Sequence, residues 1–296
     1  MLTRRILLAS AALLFSASAA PAQDKLKAVA TFSILADFVK NVGGDRVDVR
    51  ALVGPNSDAH VYQPSPSDAK ALADAKVIFT NGLGFEGWIA RLIKASGTKA
   101  PMIVATKGVN PRKAEDSHGH DDADPHAWQS VANAKIYVAN IRDALIAADP
   151  AGKGTYETNA AAYLAKLDAL DAEVKAAIGK IPADRRKIIT THDAFGYFAA
   201  AYGVAFIAPQ GVSTESEVSA KDVARIITQI RKQKIPAVFL ENVTDDRLLK
   251  RIGAESGARI GGTLYSDALT DGQGPAPTYI EMMRHNVKQL ADALMS

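Results

Sequence analysis

Tyr156, Tyr163, Leu167, Leu170, Val174, Ile178 and Ile181 follow one another at spacings of three, four and seven residues. Apolar residues repeat in this way along one face of a single long helix. A continuous helix over 156–181 extends about 39 Å at 1.5 Å per residue, long for the interior of one small lobe but suited to a rod between two. Asp149-Pro150 closes the segment before it, because proline cannot continue a helix. The stripe covers fewer than four heptads and has alanine-rich flanks, which argues against a coiled-coil partner; a monomer is expected. The expected organisation is a leader over 1–22, an N-terminal lobe over 23–150, the linking helix over 151–182 and a C-terminal lobe over 183–296. A rigid helical tie also predicts restricted hinge motion between the lobes.

On either side of the rod, short β-branched runs alternate with helical periodicity. Leu26 to Phe32, Val47 to Val53, Val77 to Thr80 and Met102 to Thr106 read as strands, with helices from about Ile34, Asp68, Phe85 and Val131. The second half repeats the theme with strands at Lys187 to Thr191, Val204 to Ala208, Ala237 to Glu241 and Ala258 to Thr263. Ser33 and Ser219 are expected to cap helix N-termini and Gly257 a C-terminus. Strand and helix in regular alternation, with short links, predict parallel sheets under right-handed crossovers. The fold class is therefore α/β: two lobes, each with a four-stranded parallel-type sheet flanked by helices.

The first twenty-two residues have the build of an export signal. Arg4-Arg5 precede the apolar run Ile6 to Phe15, and Ala20-Pro21-Ala22 stands before Gln23. That run is shorter than the roughly 20 residues a spanning helix needs. The chain contains no cysteine, so neither a lipid-anchor cysteine nor a disulfide is expected, and any metal site must use His, Asp or Glu. A soluble protein of the periplasm is the expectation. The formal charge of +3 loses Arg4 and Arg5 with the leader and falls to +1, which leaves no basic footprint for nucleic acid. No P-loop, G-x-G-x-x-G, G-x-S-x-G or H-E-x-x-H pattern occurs.

The candidate chemistry sits where strands end. Ile188 to Thr191 runs straight into His192; His60 lies in the loop after the second strand, His126 after the fourth, and Asp267 after the last. Open α/β sheets place ligand-handling groups at such C-terminal strand ends. Taken singly, each residue also suits a structural role: a strand-end hydrogen-bonder for His192, a turn cap for His60, His126 or Asp267. Together they supply three nitrogen donors and one oxygen donor, two from each half, which is a full tetrahedral set for zinc. A metallohydrolase is the competing chemistry, but it needs an open coordination position that the carboxylate fills. The run Glu115-Asp116-Ser117-His118-Gly119-His120-Asp121-Asp122 reads either as a solvated loop or as a weak cation-collecting site through His118 and His120. His285 is expected to be a surface residue without partners.

These stretches resemble the metal-binding substrate-binding proteins of ABC transporters, the cluster of zinc, manganese and iron receptors. The resemblance spans Leu26 to Met295. It rests on GPNSDAHVYQP (Gly54 to Pro64), DPHAW (Asp124 to Trp128), HDAFGYF (His192 to Phe198), Leu264 to Asp267, and TYIEMMRHNV (Thr278 to Val287). It implies that His60, His126, His192 and Asp267 hold the ion, that no bond is made or broken, and that the ion passes to an ABC permease in the inner membrane. A periplasmic zinc carrier is a further candidate partner. Manganese receptors of this family commonly carry Glu at the third ligand position; His192 stands there in this chain, and nitrogen donors favour zinc. The His118/His120 loop resembles a shortened form of the His-rich loop of zinc receptors. Zn²⁺ is thus the expected cargo, with Mn²⁺ or iron as the alternative, since some relatives with three His and one Asp take both zinc and manganese. Affinity is expected to fall as the pH drops through roughly 6.5, where free imidazole protonates.

Overall fold

The computed structural model describes residues 24–114 and 123–295; the expected leader, His118 and His120 lie outside the described residues. In the first half β1 (Leu26–Phe32), β2 (Val47–Val53), β3 (Val77–Thr80) and β4 (Met102–Val104) pair in parallel in the order β2-β1-β3-β4. In the second half β5 (Lys187–Ile189), β6 (Ala205–Ile207), β7 (Ala237–Glu241) and β8 (Arg259–Leu264) repeat that winding as β6-β5-β7-β8. Parallel strands covered on both faces read as unbroken apolar runs. Accordingly Ala28 to Phe32 and Val77 to Thr80 are buried throughout, whereas edge strand β4 leaves Met102 and Val104 exposed. In each sheet the chain leaves the first strand in one direction and returns in the other, which opens a crevice at the C-terminal strand ends.

The helices are α1 (Ser33–Gly43), α2 (Pro66–Asp74), α3 (Ile89–Ser96), α4 (Val131–Ala148), α5 (Lys153–Gly179), α6 (Gly196–Tyr202), α7 (Ala220–Gln233), α8 (Arg247–Ser256) and α9 (Tyr279–Met295). The Ser219 hydroxyl accepts the Asp222 N–H as an N-cap, and Gly257 at φ +82° ends α8. Ser33 does not cap α1. It is the first residue of that helix, and its hydroxyl accepts the Leu269 N–H from the opposite lobe at 3.0 Å. The helix expected from Phe85 begins at Ile89, because successive turns, closed by the Phe85 N–H on the Gly82 carbonyl and the Ile89 N–H on the Glu86 carbonyl, send Phe85 and Trp88 into the core. No helix among the described residues is long and apolar enough to cross a membrane.

The linking helix α5 is continuous over 27 residues, about 40 Å at the standard rise. Its stripe, Tyr156 through Ile178, is buried against α1, α4 and α9. One hydrophobic core consequently runs from β1 through α5 to α9 without stopping at the lobe boundary, and a smaller cluster of Ile189, Ile226, Ile230, Val238, Leu249 and Ile252 fills the space under α7 and α8. His285 corrects the expectation of a free surface residue. Its Nε2 lies 3.0 Å from the Thr263 carbonyl and its ring packs edge-on against Tyr265, tying α9 to the end of β8.

Asp37 of α1 joins three elements. Its Oδ2 accepts the Tyr279 N–H at the start of α9 (3.0 Å) and the Tyr163 hydroxyl of α5 (3.4 Å). Burial pushes this carboxyl up to about 6, against the pull of the hydrogen bonds from Tyr279 and Tyr163. A carboxyl raised above its unfolded value near 3.9 contributes stability that is present below that value and lost as the pH rises through 6. Asp37→Asn keeps an acceptor but has no proton to lose. Its stability relative to the unmodified chain, measured by urea unfolding, is expected to improve between pH 5 and pH 7.5; a pH-independent difference contradicts this account.

Candidate metal centre

In the first lobe the loops at the strand ends are pinned by buried polar groups. Glu86, buried, accepts the Thr31 hydroxyl and Asn81 N–H at 2.6 Å each through Oε1, and the Gly82 N–H at 3.2 Å through Oε2. Asn81 in turn donates to the Pro125 carbonyl at 2.9 Å, which fixes the loop carrying His126. The loop after β2 is held by the Trp88 indole N–H on the Ala59 carbonyl (2.7 Å) and by Asp58 Oδ1, which accepts the His60 N–H (2.8 Å). The His60 ring then stands edge-on to Phe85, with centroids 4.7 Å apart. From these loops the imidazoles of His60 and His126 face His192 and Asp267 of the opposite lobe.

The second lobe presents His192 and Asp267 each three residues beyond a strand, β5 and β8. Glu241, the last residue of β7, accepts the N–H groups of Thr191 and His192 through Oε1 at 2.7 and 2.9 Å. The Asp267 loop is secured from across the interface: the Trp128 indole and Gln129 amide both donate to the Ser266 carbonyl, at 2.9 and 2.7 Å. Thr214 closes the same seam from the other side by donating to Asp58 Oδ2 at 2.6 Å. Gly196 permits a close approach of the lobes, since a Cβ there would stand 2.6 Å from Asp124 Oδ2.

The four residues singled out in the sequence come together. One ligand atom from each of His60, His126, His192 and Asp267 lies within 4.8 Å of all the others, and this is the one such group among the described residues. The imidazole Nε2 atoms converge on the carboxylate: His192 Nε2 is 3.1 Å from Asp267 Oδ2, His60 Nε2 3.4 Å from the same atom, and His126 Nε2 3.6 Å from Oδ1. A tetrahedral ion with bonds of about 2.0–2.1 Å sets its donors roughly 3.3 Å apart, so the set is spaced for such an ion. Asp267 Oδ1 is buried without a hydrogen-bond partner, a cost the fold bears unless a cation meets it.

The electrostatics follow from this crowding. Burial raises the cost of charge on Asp267, but His192 and His126 outweigh it and hold the carboxyl well below the usual carboxylate range. Burial likewise opposes a proton on His126, yet Asp267 and Asp124 bring the imidazole up to about 9. His192 is raised well above its ordinary value by Glu241 and Asp267 against the same burial. His60 goes the other way, lowered by burial and by the neighbouring imidazoles despite Asp267. The side chain of His60 is 5% exposed whereas those of His126, His192 and Asp267 are fully buried, so the opening lies on the His60 side. A cavity of about 290 Å³ adjoins it there, lined by His60, Phe85, Pro125, Ser213 and Glu215 among others.

The sequence reading did not single out the acids behind two of these imidazoles. Asp124 Oδ1 lies 2.9 Å from His126 Nδ1, and Glu241 Oε2 lies 2.7 Å from His192 Nδ1. Asp124 stands two residues before its histidine, a spacing visible in the chain. Glu241 closes the apolar run Ala237 to Leu240, and an acid at the end of a buried strand is also visible. Glu86 gives no comparable local signal. Glu86→Ala would leave the buried Thr31 hydroxyl and Asn81 N–H, and the half-buried Gly82 N–H, without this acceptor, at about 1–3 kcal/mol for each buried donor. The variant is expected to lose roughly 3 kcal/mol or more in urea unfolding, and a loss under about 1 kcal/mol contradicts the role assigned to this carboxylate.

Comparison with known proteins shows the family of the chain. Residues 28–293 match the family described as ZnuA, zinc-uptake complex component A, periplasmic. The chain is 38% identical over 267 residues to the iron-binding protein YfeA of Yersinia pestis, covering 90% of this chain and 86% of that protein. It is 35% identical over 283 residues to the manganese ABC transporter substrate-binding lipoprotein PsaA of Streptococcus pneumoniae, covering 94% and 91%. Among solved structures, the periplasmic zinc-binding protein TroA of Treponema pallidum superposes with a TM-score of 0.86 at 31% identity, covering 92% of this chain and 99% of that one. TroA shares the arrangement of two lobes joined by one long helix. The chain therefore belongs to the ZnuA family of metal-binding substrate-binding proteins of ABC transporters, which are receptors and not enzymes.

Proposed function

We propose that this extracytoplasmic receptor captures Zn²⁺ in the cage of His60, His126, His192 and Asp267 and delivers it to the membrane permease of its transporter. The convergence of three Nε2 atoms and one carboxylate on a single buried point carries the reading. Three imidazoles with one oxygen donor are softer than an oxygen-rich set and favour zinc over harder ions. The closed donor set leaves no position for an activated water, in keeping with carriage and not hydrolysis. The ion enters past His60, the one ligand that touches the opening.

A specific observation supports a second reading. Asp124 and Glu241 lie behind two of the three imidazoles, and carboxylates there make a histidine a more basic donor. That brings the site closer to the harder character suited to manganese or ferrous iron, the metals that the names of PsaA and YfeA specify for those proteins. Competition of zinc against manganese for the metal-free protein separates the readings. The unmodified chain is expected to prefer zinc, and His192→Glu to shift the preference toward manganese. Preference of the unmodified chain for manganese overturns the zinc assignment.

The pH dependence differs from that of free imidazole. With His126 held at about 9 and His192 raised as well, both rings carry protons at neutral pH until metal displaces them. Affinity is therefore expected to climb with pH from neutrality toward 9, beyond the range near 6.5 where an ordinary imidazole finishes titrating. Calorimetry at pH 7.5 in buffers of different ionisation enthalpy is expected to find more than one proton released per zinc bound. Release of none contradicts the assignment of these histidines as ligands.

A further inference from the structure

We propose that Thr214 is a positioning residue for passage of the ion. Its hydrogen bond to Asp58 latches a strap of the second lobe, residues 210–218, beside His60, and release of that strap, without separation of the lobes, sets how fast the ion enters and leaves. The proposal rests on the reading of this chain as a zinc receptor with His60 at the opening. The strap follows β6, and its root is fixed beside His192: the Gln210 N–H donates to the Thr191 carbonyl at 3.3 Å and the Asp193 N–H to the Gly211 carbonyl at 3.2 Å. The Gln210 side-chain amide then donates to the carbonyls of Thr214 and Ser216 at 2.5 and 2.7 Å, and the Ser216 N–H to the Ser213 carbonyl at 3.1 Å. These bonds shape the strap as one folded unit on that root. From it the Thr214 hydroxyl donates across the interface to Asp58 Oδ2 at 2.6 Å, while Asp58 Oδ1 accepts the His60 N–H at 2.8 Å. One carboxylate thus joins the strap to the backbone of His60.

Packing makes the strap the part of the seam that opens at least cost. Space lies on both sides of it. Val212, Ser213 and Glu215 share the cavity of about 290 Å³ with His60, and a second cavity of about 340 Å³ is lined by Asp58, Thr191, Thr214, Ser216 and Val218 among others. Val212 to Thr214 are half-buried and Glu215 to Glu217 exposed. The bonds of Trp128 and Gln129 to Ser266, and of Leu269 to Ser33, are buried. Parting the lobes there would strip buried donors of their acceptors and break into the core that α5 carries across. Lifting the strap costs the Thr214 bond and little apolar contact, which suits a segment that opens locally while the rest of the fold stays closed. Thr214 Oγ1 and Asp58 Oδ2 lie outside the four-residue donor set. Weakening their bond therefore raises the open fraction of the empty and the filled protein alike. Entry and release quicken together and affinity stays, whereas loss of a ligand contact speeds release and lowers affinity.

The test compares Thr214→Val, which keeps the shape without the hydroxyl, with Thr214→Ser, which keeps the hydroxyl. Zinc entry is followed by stopped flow and release by transfer to excess chelator. Thr214→Val is expected to speed both about tenfold, the rate equivalent of one net hydrogen bond, with affinity changed less than about threefold. Thr214→Ser is expected to match the unmodified chain. A second readout needs no metal. The chain has no cysteine, so spin-label pairs can be placed at will: Lys94→Cys with Glu217→Cys reports the strap against the first lobe, and Lys94→Cys with Lys250→Cys reports lobe against lobe. In the otherwise unmodified metal-free protein the strap pair is expected to show the broader distances. Adding Thr214→Val is expected to lengthen the strap pair alone. Unchanged release in Thr214→Val, faster release with unchanged entry, a strap pair no broader than the lobe pair, or a lengthened lobe pair overturns the proposal and leaves zinc as the cargo. A chain that takes up no zinc overturns the zinc reading and the proposal together.

Discussion

A fully buried carboxylate surrounded by imidazoles is the constraint around which this molecule is arranged. Asp267 has left water completely, one of its oxygens has no hydrogen-bond partner, and it retains its charge only because His126 and His192 stand beside it. Such a charge must be matched inside the protein. The match comes either from protons on the imidazoles or from a divalent ion among them, and the two exclude each other at the same Nε2 atoms. Competition between proton and metal is thereby built into the site, and it couples cargo affinity to pH more strongly than isolated histidines would.

Holding that arrangement requires ligands from two separate sheets to meet within a few tenths of an ångström. Each sheet supplies two strand ends: Asp58 holds the His60 loop, Glu86 acts through Asn81 on the His126 loop, Glu241 holds the backbone of His192, and Trp128 and Gln129 secure the Asp267 loop from the other half. The interface is then sewn by bonds that cross it, with Trp128 and Gln129 on Ser266, Ser33 on Leu269, and Thr214 on Asp58. Below these lies a core that α5 carries continuously from one half into the other. The ligands are thus positioned by their own loops, by the seam and by the shared core together.

Much of this was legible in the chain. The stripe from Tyr156 to Ile181 announced the linking helix because a buried face at helical period has few other readings, and β-branched runs announced the strands. Position at strand ends picked out all four residues that the fold brings together, since parallel winding makes the topology predictable. The misses arose where tertiary partners outbid local preference. Ser33 had the chemistry of an N-cap, but its hydroxyl is engaged by Leu269 in the other lobe. Phe85 and Trp88 stand at helical spacing with Leu92, but both are taken up in successive turns that pack beneath His60 and Ala59. His285 looked partnerless because its acceptor, the Thr263 carbonyl, is set by how α9 docks on β8. Glu241 is visible as an acid ending a buried strand, but its meeting with His192 follows from the pairing of β5 with β7.

The central claim is that one metal ion is held between the lobes by the Nε2 atoms of three histidines and the carboxylate of Asp267. Anomalous diffraction at the zinc absorption edge from zinc-loaded crystals addresses it directly. The account predicts one strong peak, bonded to Nε2 of His60, His126 and His192 at about 2.0–2.1 Å and to an Asp267 oxygen at about 2.0–2.2 Å. A peak outside this cluster, or coordination that leaves out His192 or Asp267, would contradict it.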